Sequence, residues 1–124
     1  MSEARILVVD DEEPIRKLLL RFLTRRGYSV ECAEDGAHGL KLAAERPPDL
    51  VITDINMPIM DGIEMISRLR ELESERTLPV VLLTATKGLG DSEFQAASGA
   101  DAFVLKPVAM AELLATVELL LAKP

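Results

Sequence analysis

The chain has 124 residues, of which 48% are hydrophobic, so it can build one domain with its own core and is not a disordered chain. Its net charge of −7 argues against direct nucleic-acid binding by this domain, because phosphate binding requires clustered Lys and Arg. The single cysteine, Cys32, excludes an internal disulfide, and no stretch is long and apolar enough to span a membrane. The N-terminal residues lack the basic-then-apolar order of a secretion signal. We therefore expect a cytoplasmic protein without a membrane partner.

The first half of the chain alternates apolar runs with helical patterns. The run Ala4–Val9 predicts a first strand, and a helix follows that begins near Pro14 and is closed by Gly27. A second strand, Tyr28–Ala33, precedes a helix that Asp35 can cap. The residues predicted to face inward are Ile15, Leu18, Leu19, Phe22 and Leu23 in the first helix, and Leu40, Ala43 and Ala44 in the second.

The second half continues the alternation. Leu50–Thr53 is a continuous apolar run, typical of a strand buried on both faces. Asp61 and Glu64 have the spacing of a helix start, and this third helix runs to about Leu72, with Ile66 and Leu69 on its buried side. The remaining predicted elements are strand Val80–Leu83, the glycine-bearing loop Lys87–Gly90, helix Asp91–Ser98, strand Ala102–Leu105 and helix Met110–Ala122.

Five strands that alternate with five helices predict a doubly wound α/β fold, with a parallel sheet and helices on both faces. Because the carboxyl ends of parallel strands lie at one edge of the sheet, the polar residues that end the strands should converge there. Closely packed acids are costly unless a cation lies among them, and carboxylate oxygens suit Mg²⁺. The converging residues are Asp10, Asp11, Asp54, Thr84 and Lys106.

This set of side chains fits phosphoryl transfer. Asp54 ends the central strand and can attack phosphorus in line, which gives an acyl phosphate. Mg²⁺ and Lys106 can neutralise charge on the equatorial oxygens, and Thr84 can donate a hydrogen bond to one of them. Glu12 is interpreted as an acid of the helix start and is not predicted to be a ligand.

The order and spacing of five short motifs resemble the receiver domain of two-component response regulators. They are D-D after the first strand, T-D-I-N-M-P-x-M-D-G, L-L-T-A, G-A-D-A-F and L-K-P. The resemblance covers essentially the whole chain and implies one receiver domain over residues 1–124, with flavodoxin-like strand order 2-1-3-4-5.

The resemblance also implies a role for each site residue. Asp54 is the phosphoacceptor, Asp11 is a direct Mg²⁺ ligand, and Asp10 holds the metal mainly through water. The backbone carbonyl of Asn56 completes the protein ligands of the metal. The residues that contact the phosphoryl oxygens are then Thr84 and Lys106.

Switching and partners follow from the same resemblance. Phe103 occupies the position of a switch aromatic that moves into the space Thr84 leaves, and the Lys106–Pro107 peptide bond is expected to be cis. The phosphodonor is expected to be a sensor histidine kinase or a phosphotransfer protein. The surface formed by the fourth helix, the fifth strand and the fifth helix would report the state to a downstream protein or an attached output domain, and it is the candidate surface for a homodimer on phosphorylation.

Two other classes of function remain open at this point. One is a Mg²⁺-dependent phosphohydrolase with an aspartyl intermediate, which needs an acid two residues after the nucleophile where this chain has Asn56. The other is a docking module independent of phosphorylation. The receiver interpretation itself predicts a protein that assists its own phosphorylation and slow dephosphorylation without being an enzyme on other substrates.

Overall fold

The computed structural model describes residues 4–72, 78–85 and 98–122. These residues contain a five-stranded sheet in which every neighbouring pair is parallel, in the order β2-β1-β3-β4-β5. The predicted strand order and the parallel sheet are therefore confirmed. The strands are β1 (Arg5–Val9), β2 (Ser29–Ala33), β3 (Leu50–Asp54), β4 (Val80–Thr84) and β5 (Ala102–Leu105).

The helices that lie within the described residues begin and end close to the predicted positions. They are α1 (Glu13–Arg25), α2 (Gly36–Glu45), α3 (Gly62–Leu72) and the C-terminal helix (Met110–Ala122). Asp35 caps α2 by accepting a hydrogen bond from the His38 amide at 2.8 Å, and Asp61 caps α3 in the same way from Glu64 at 2.8 Å. The predicted loop Lys87–Gly90 lies outside the described residues, and so does the predicted fourth helix except for Ser98.

Helices cover both faces of the sheet, as the doubly wound fold requires. Successive side chains of a strand point to opposite faces, and β1 shows this directly. Ile6 and Val8 pack into the cluster formed with α1 and the C-terminal helix, whereas Leu7 and Val9 pack into the cluster formed with α2 and α3. The central strands β3 and β4 are buried along their whole length, which explains their continuous apolar sequences.

Two residues predicted to face the core are exposed instead. Leu18 in α1 is 50% exposed, and Ala44 in α2 lies on the solvent side. The buried face of α2 is formed by its small residues, because a Cβ at Gly39 would come within 2.9 Å of Val9 and 3.0 Å of the Met65 sulfur. An apolar pattern alone does not show that glycine faces the core here.

Candidate functional site

The predicted polar residues meet at the carboxyl edge of the sheet. Asp54 and Thr84 are the last residues of β3 and β4, while Asp10 and Lys106 directly follow β1 and β5. The backbone ties two of these ends together, because the Lys106 amide donates to the Thr84 carbonyl at 2.8 Å. An open cavity of about 420 Å³ lies at this edge, lined by Asp11, Glu12, Asp54, Ile55, Asn56, Thr84, Ala85 and Lys106.

Between β1 and β3 the chain reverses the direction in which it adds strands to the sheet. From β1 the chain crosses to β2 on one side and then returns to β3 on the other side. Loops that leave neighbouring strands in opposite directions open a crevice, and open α/β sheets bind their ligands there. The sheet order therefore places Asp10 and Asp54 on the two sides of the crevice.

Lys106 lies among three carboxylates. Its Nζ is 3.2 Å from Asp54 Oδ2, 3.3 Å from Asp10 Oδ2 and 3.5 Å from Glu12 Oε1. Burial by itself would lower the pKa of Lys106, but the charges of Asp10 and Asp54 outweigh it and raise the pKa. The Lys106 side chain is thus a fixed ammonium beside the Asp54 carboxylate.

Asp10 is the most deeply buried acid of the site. Its Oδ1 accepts a hydrogen bond from the Glu12 amide at 2.9 Å, and the residue is 0% exposed. Burial raises the pKa of Asp10, against the lowering effects of the Glu12 amide and Lys106, and the neighbouring Asp54 adds to the rise. A negative charge at Asp10 is therefore poorly compensated when the site holds no cation.

The donor set of this site fits a small divalent cation. Single carboxylate oxygens of Asp10, Asp11, Glu12 and Asp54 all lie within 4.8 Å of one another. Hard oxygen donors are the ligands that Mg²⁺ prefers, and its charge would offset the repulsion among these acids. Asn56 lines the same cavity, and the role of its backbone carbonyl as a metal ligand stays a prediction.

Hydrogen bonds at the two ends of the loop between β3 and α3 hold the backbone close to Asp54. The Ile55 amide donates to Asp54 Oδ1 at 2.9 Å, and the Gly62 amide donates to the Ile55 carbonyl at 2.7 Å. A Cβ at Gly62 would lie only 2.1 Å from the Asp54 carbonyl oxygen, so the loop can close in this way only on glycine.

Two other expectations concern the segment around β5. The Lys106–Pro107 peptide bond is cis, as the resemblance implies. Phe103 is half-buried and packs on the cluster formed with α2 and α3. Its predicted role as a switch stays a prediction, since it concerns a change of state.

Glu12, which the sequence analysis assigned to the helix start, also lies at this edge of the sheet. It occupies the N-cap position of α1, but its side chain makes no capping hydrogen bond. Its carboxylate belongs to the acidic cluster and contacts Lys106 instead. The signal was present in the sequence as a third consecutive acid after β1.

Comparison with known proteins assigns the family. Residues 6–118 match the response regulator receiver domain, and the chain belongs to this family. It is 39% identical over 121 residues to the transcriptional regulatory protein PrrA of Mycobacterium leprae, covering 98% of this chain and 51% of that protein. It is 43% identical over 117 residues to the response regulator MprA of Mycobacterium sp. strain KMS, covering 94% of this chain and 50% of that protein.

The likeness extends to solved structures. The chemotaxis protein CheY4 of Vibrio cholerae superposes with a TM-score of 0.89 at 32% identity, and the match covers 96% of this chain and 99% of that one. The chain spans about half the length of the two curated relatives, and nearly all of this solved chain. It is thus a receiver domain of two-component signalling, a class controlled by phosphorylation. In the part of the chain that the structure describes, no helix has the length and apolarity needed to span a membrane.

Proposed function

We propose that Asp54 is the phosphoacceptor of this receiver domain and that residues 1–124 form one phosphorylation-controlled unit. The observation that carries the proposal is the position of the Asp54 carboxylate, which is 7% exposed, lies in the acidic cluster and is 3.2 Å from Lys106 Nζ. A nucleophilic carboxylate beside a fixed ammonium and a cation site has what phosphoryl transfer requires.

The phosphodonor is a phosphohistidine on a sensor histidine kinase or a phosphotransfer protein. An Asp54 carboxylate oxygen attacks phosphorus in line, so that an O–P bond forms while the N–P bond of the donor breaks and the electron pair stays on the imidazole. Lys106 neutralises charge on the transferred group, and Thr84 donates a hydrogen bond to one of its oxygens. The domain thereby assists its own phosphorylation, and slow hydrolysis of the acyl phosphate resets it.

Mg²⁺ is the resident cation in this proposal, and it would supply positive charge for the phosphoryl oxygens. Asp11 and Asp54 would hold it directly, Asp10 would hold it mainly through water, and the Asn56 carbonyl would complete the protein ligands. The convergence of carboxylate oxygens within 4.8 Å of one another supports this assignment.

The output is a change in the surface around the fourth predicted helix, β5 and the C-terminal helix. Phosphorylation adds about −1.5 to −2 charges at Asp54, which draws Thr84 toward the new oxygens and lets Phe103 move. The reader of that surface is an attached output domain or a separate protein, and a homodimer can form through the same surface. We place this chemistry in the cytoplasm.

The test is labelling with acetyl [³²P]phosphate in the presence of Mg²⁺. We expect Asp54→Asn to abolish labelling and Lys106→Met to reduce it strongly. Labelling of the parent protein should fail when EDTA chelates the Mg²⁺. Asp61→Asn is the matched control, because it makes the same change of charge at the N-cap of α3 and Asn can still cap that helix. Equal labelling of the parent and Asp54→Asn would overturn the proposal, and catalytic turnover of a generic phosphoester would indicate the hydrolase instead.

A further inference from the structure

Glu12 occupies the N-cap position of α1, but its side chain does not cap the helix. An acid before the first turn of a helix usually accepts a backbone hydrogen bond or interacts with the helix dipole. Glu12 has the extended backbone of an N-cap residue, with φ −94° and ψ 114°, yet its side chain makes no capping bond. The carboxylate is directed to the cavity at the carboxyl edge of the sheet, which it lines.

The geometry connects Glu12 to the charges of the site. A carboxylate oxygen of Glu12 lies within 4.8 Å of oxygens from Asp10, Asp11 and Asp54. Glu12 Oε1 is also 3.5 Å from Lys106 Nζ, and Lys106 is the ammonium that contacts Asp54. The Glu12 side chain remains 59% exposed, so it lies at the mouth of the cavity rather than in its floor.

We propose that Glu12 is an additional carboxylate of the cation site and increases its affinity for a divalent cation. The inference rests on the proposed cation site and extends it to a fourth acid. When all are ionised, four carboxylates and one ammonium leave three excess negative charges, which a divalent cation reduces to one. Mg²⁺ keeps several of its waters, so a carboxylate at the mouth can accept hydrogen bonds from metal-bound water.

The exposure of Glu12 sets the size of the effect. A Coulomb attraction between a carboxylate and a dication a few ångströms apart is reduced in a partly hydrated site. We expect Glu12→Gln to weaken Mn²⁺ binding about three- to tenfold at low salt, and the loss should shrink as ionic strength rises. Mn²⁺ is the probe because electron paramagnetic resonance measures the free ion directly, without any phosphoryl transfer.

Glu13 provides a matched control one residue further on. Its carboxylate is 2.7 Å from Lys17 Nζ, its side chain is 62% exposed, and it lies in the first turn of the same helix. Glu13→Gln therefore makes the same change of net charge beside the same helix terminus, but outside the cluster. We expect it to change the Mn²⁺ affinity by less than about twofold.

The outcomes separate this inference from the proposed function. A parent protein that binds no Mn²⁺ would overturn the cation site itself. A parent that binds Mn²⁺, together with a Glu12→Gln variant of equal affinity, would overturn only the role of Glu12. Thermal unfolding in EDTA checks that the variants fold, and Glu12→Ala provides a second variant that should lose affinity to the same extent.

Discussion

Ile59 has a backbone conformation that β-branched residues rarely adopt. Its φ is +71°, and the Met60 amide donates to the Pro58 carbonyl at 2.7 Å to close a three-residue turn around it. The side chain is 82% exposed, so burial gives little in return for this strain. The strain lies in the loop that follows Asp54.

We expect Ile59→Gly to stabilise the protein by about 0.5–1 kcal/mol, since relief of the positive φ exceeds the entropy that glycine loses. Urea unfolding with equal m-values measures the difference. Ile59→Ala is the control, because it keeps a Cβ at the same φ and should stabilise less. A glycine variant less stable than the parent would show that the turn is not strained.

Glycine is needed at position 62 because a side chain there would clash with the Asp54 backbone, and not because the backbone has a positive φ. We expect Gly62→Ala to destabilise the protein by more than about 3 kcal/mol, because the new Cβ would lie 2.1 Å from the Asp54 carbonyl oxygen and neither backbone can yield cheaply. Chemical denaturation measures the loss.

Gly27 separates the two reasons for needing glycine. Its φ is +97°, but a Cβ there would meet nothing within 4 Å. Gly27→Ala should therefore cost only about 1–2 kcal/mol, the strain of a left-handed conformation. Equal losses at the two positions would contradict the steric explanation for Gly62.

At the scale of elements, Arg70 ties α3 to the segments that precede β4 and β5. Its guanidinium donates to the Leu78 carbonyl, to the Gly99 carbonyl at 2.6 Å and to Asp101 Oδ2 at 3.1 Å. Asp101 in turn accepts a hydrogen bond from the Val80 amide at 2.8 Å. One side chain thus fixes the amino ends of two strands relative to a helix.

We expect Arg70→Ala to cost about 2–3 kcal/mol, because several carbonyl and carboxylate acceptors lose a charged donor at once. Arg68→Ala is the matched control in the same helix, since the Arg68 guanidinium pairs with the exposed Glu64 carboxylate and its loss should cost less than about 0.5 kcal/mol. Urea unfolding of both variants measures the loss of stability. Similar losses would contradict the proposal that Arg70 connects α3 to the segments before β4 and β5.

At the scale of the whole molecule, stability and the cation are linked through the acids of the site. Burial raises the pKa of Asp10, so the folded state binds its proton more tightly than the unfolded state does. In EDTA this group therefore adds stability as the pH falls through its folded pKa, and the gain is complete below the unfolded value near 3.8. Above the folded pKa, the ionised Asp10 carboxylate lowers the free energy of unfolding.

Asp10→Asn tests this linkage. In EDTA at pH 7 the variant should be more stable than the parent, with an advantage that narrows toward pH 4, because Asn resembles the protonated acid. Saturating Mg²⁺ should reverse the order, since a ligand at about 100 times its Kd stabilises the parent by about 2.7 kcal/mol and the variant by less. Thermal unfolding across this pH range measures both effects, and an unchanged order with Mg²⁺ would contradict the linkage.

Local pattern was enough for most of the elements. The continuous apolar sequence of β3 and the apolar face of the C-terminal helix depend on which side chains are apolar, and that information is local. The caps at Asp35 and Asp61 are local as well, because each joins residues three positions apart. The convergence of acids followed from topology alone, since all parallel strands end at one edge.

Only the tertiary structure decided where individual side chains lie. Leu18 lies on the predicted apolar stripe of α1 but is exposed. In α2, Gly39 faces the core, whereas Ala44, which was predicted to do so, faces solvent. The side of a helix that is buried depends on how closely the helix packs on the sheet. Glu12 turns from the helix end toward Lys106, a residue 94 positions away. The sequence by itself determined the family and the parallel sheet, and it predicted which polar groups would meet at one edge of that sheet. The tertiary structure decided which acid contacts which charge, because that depends on distances across strands that no local pattern records.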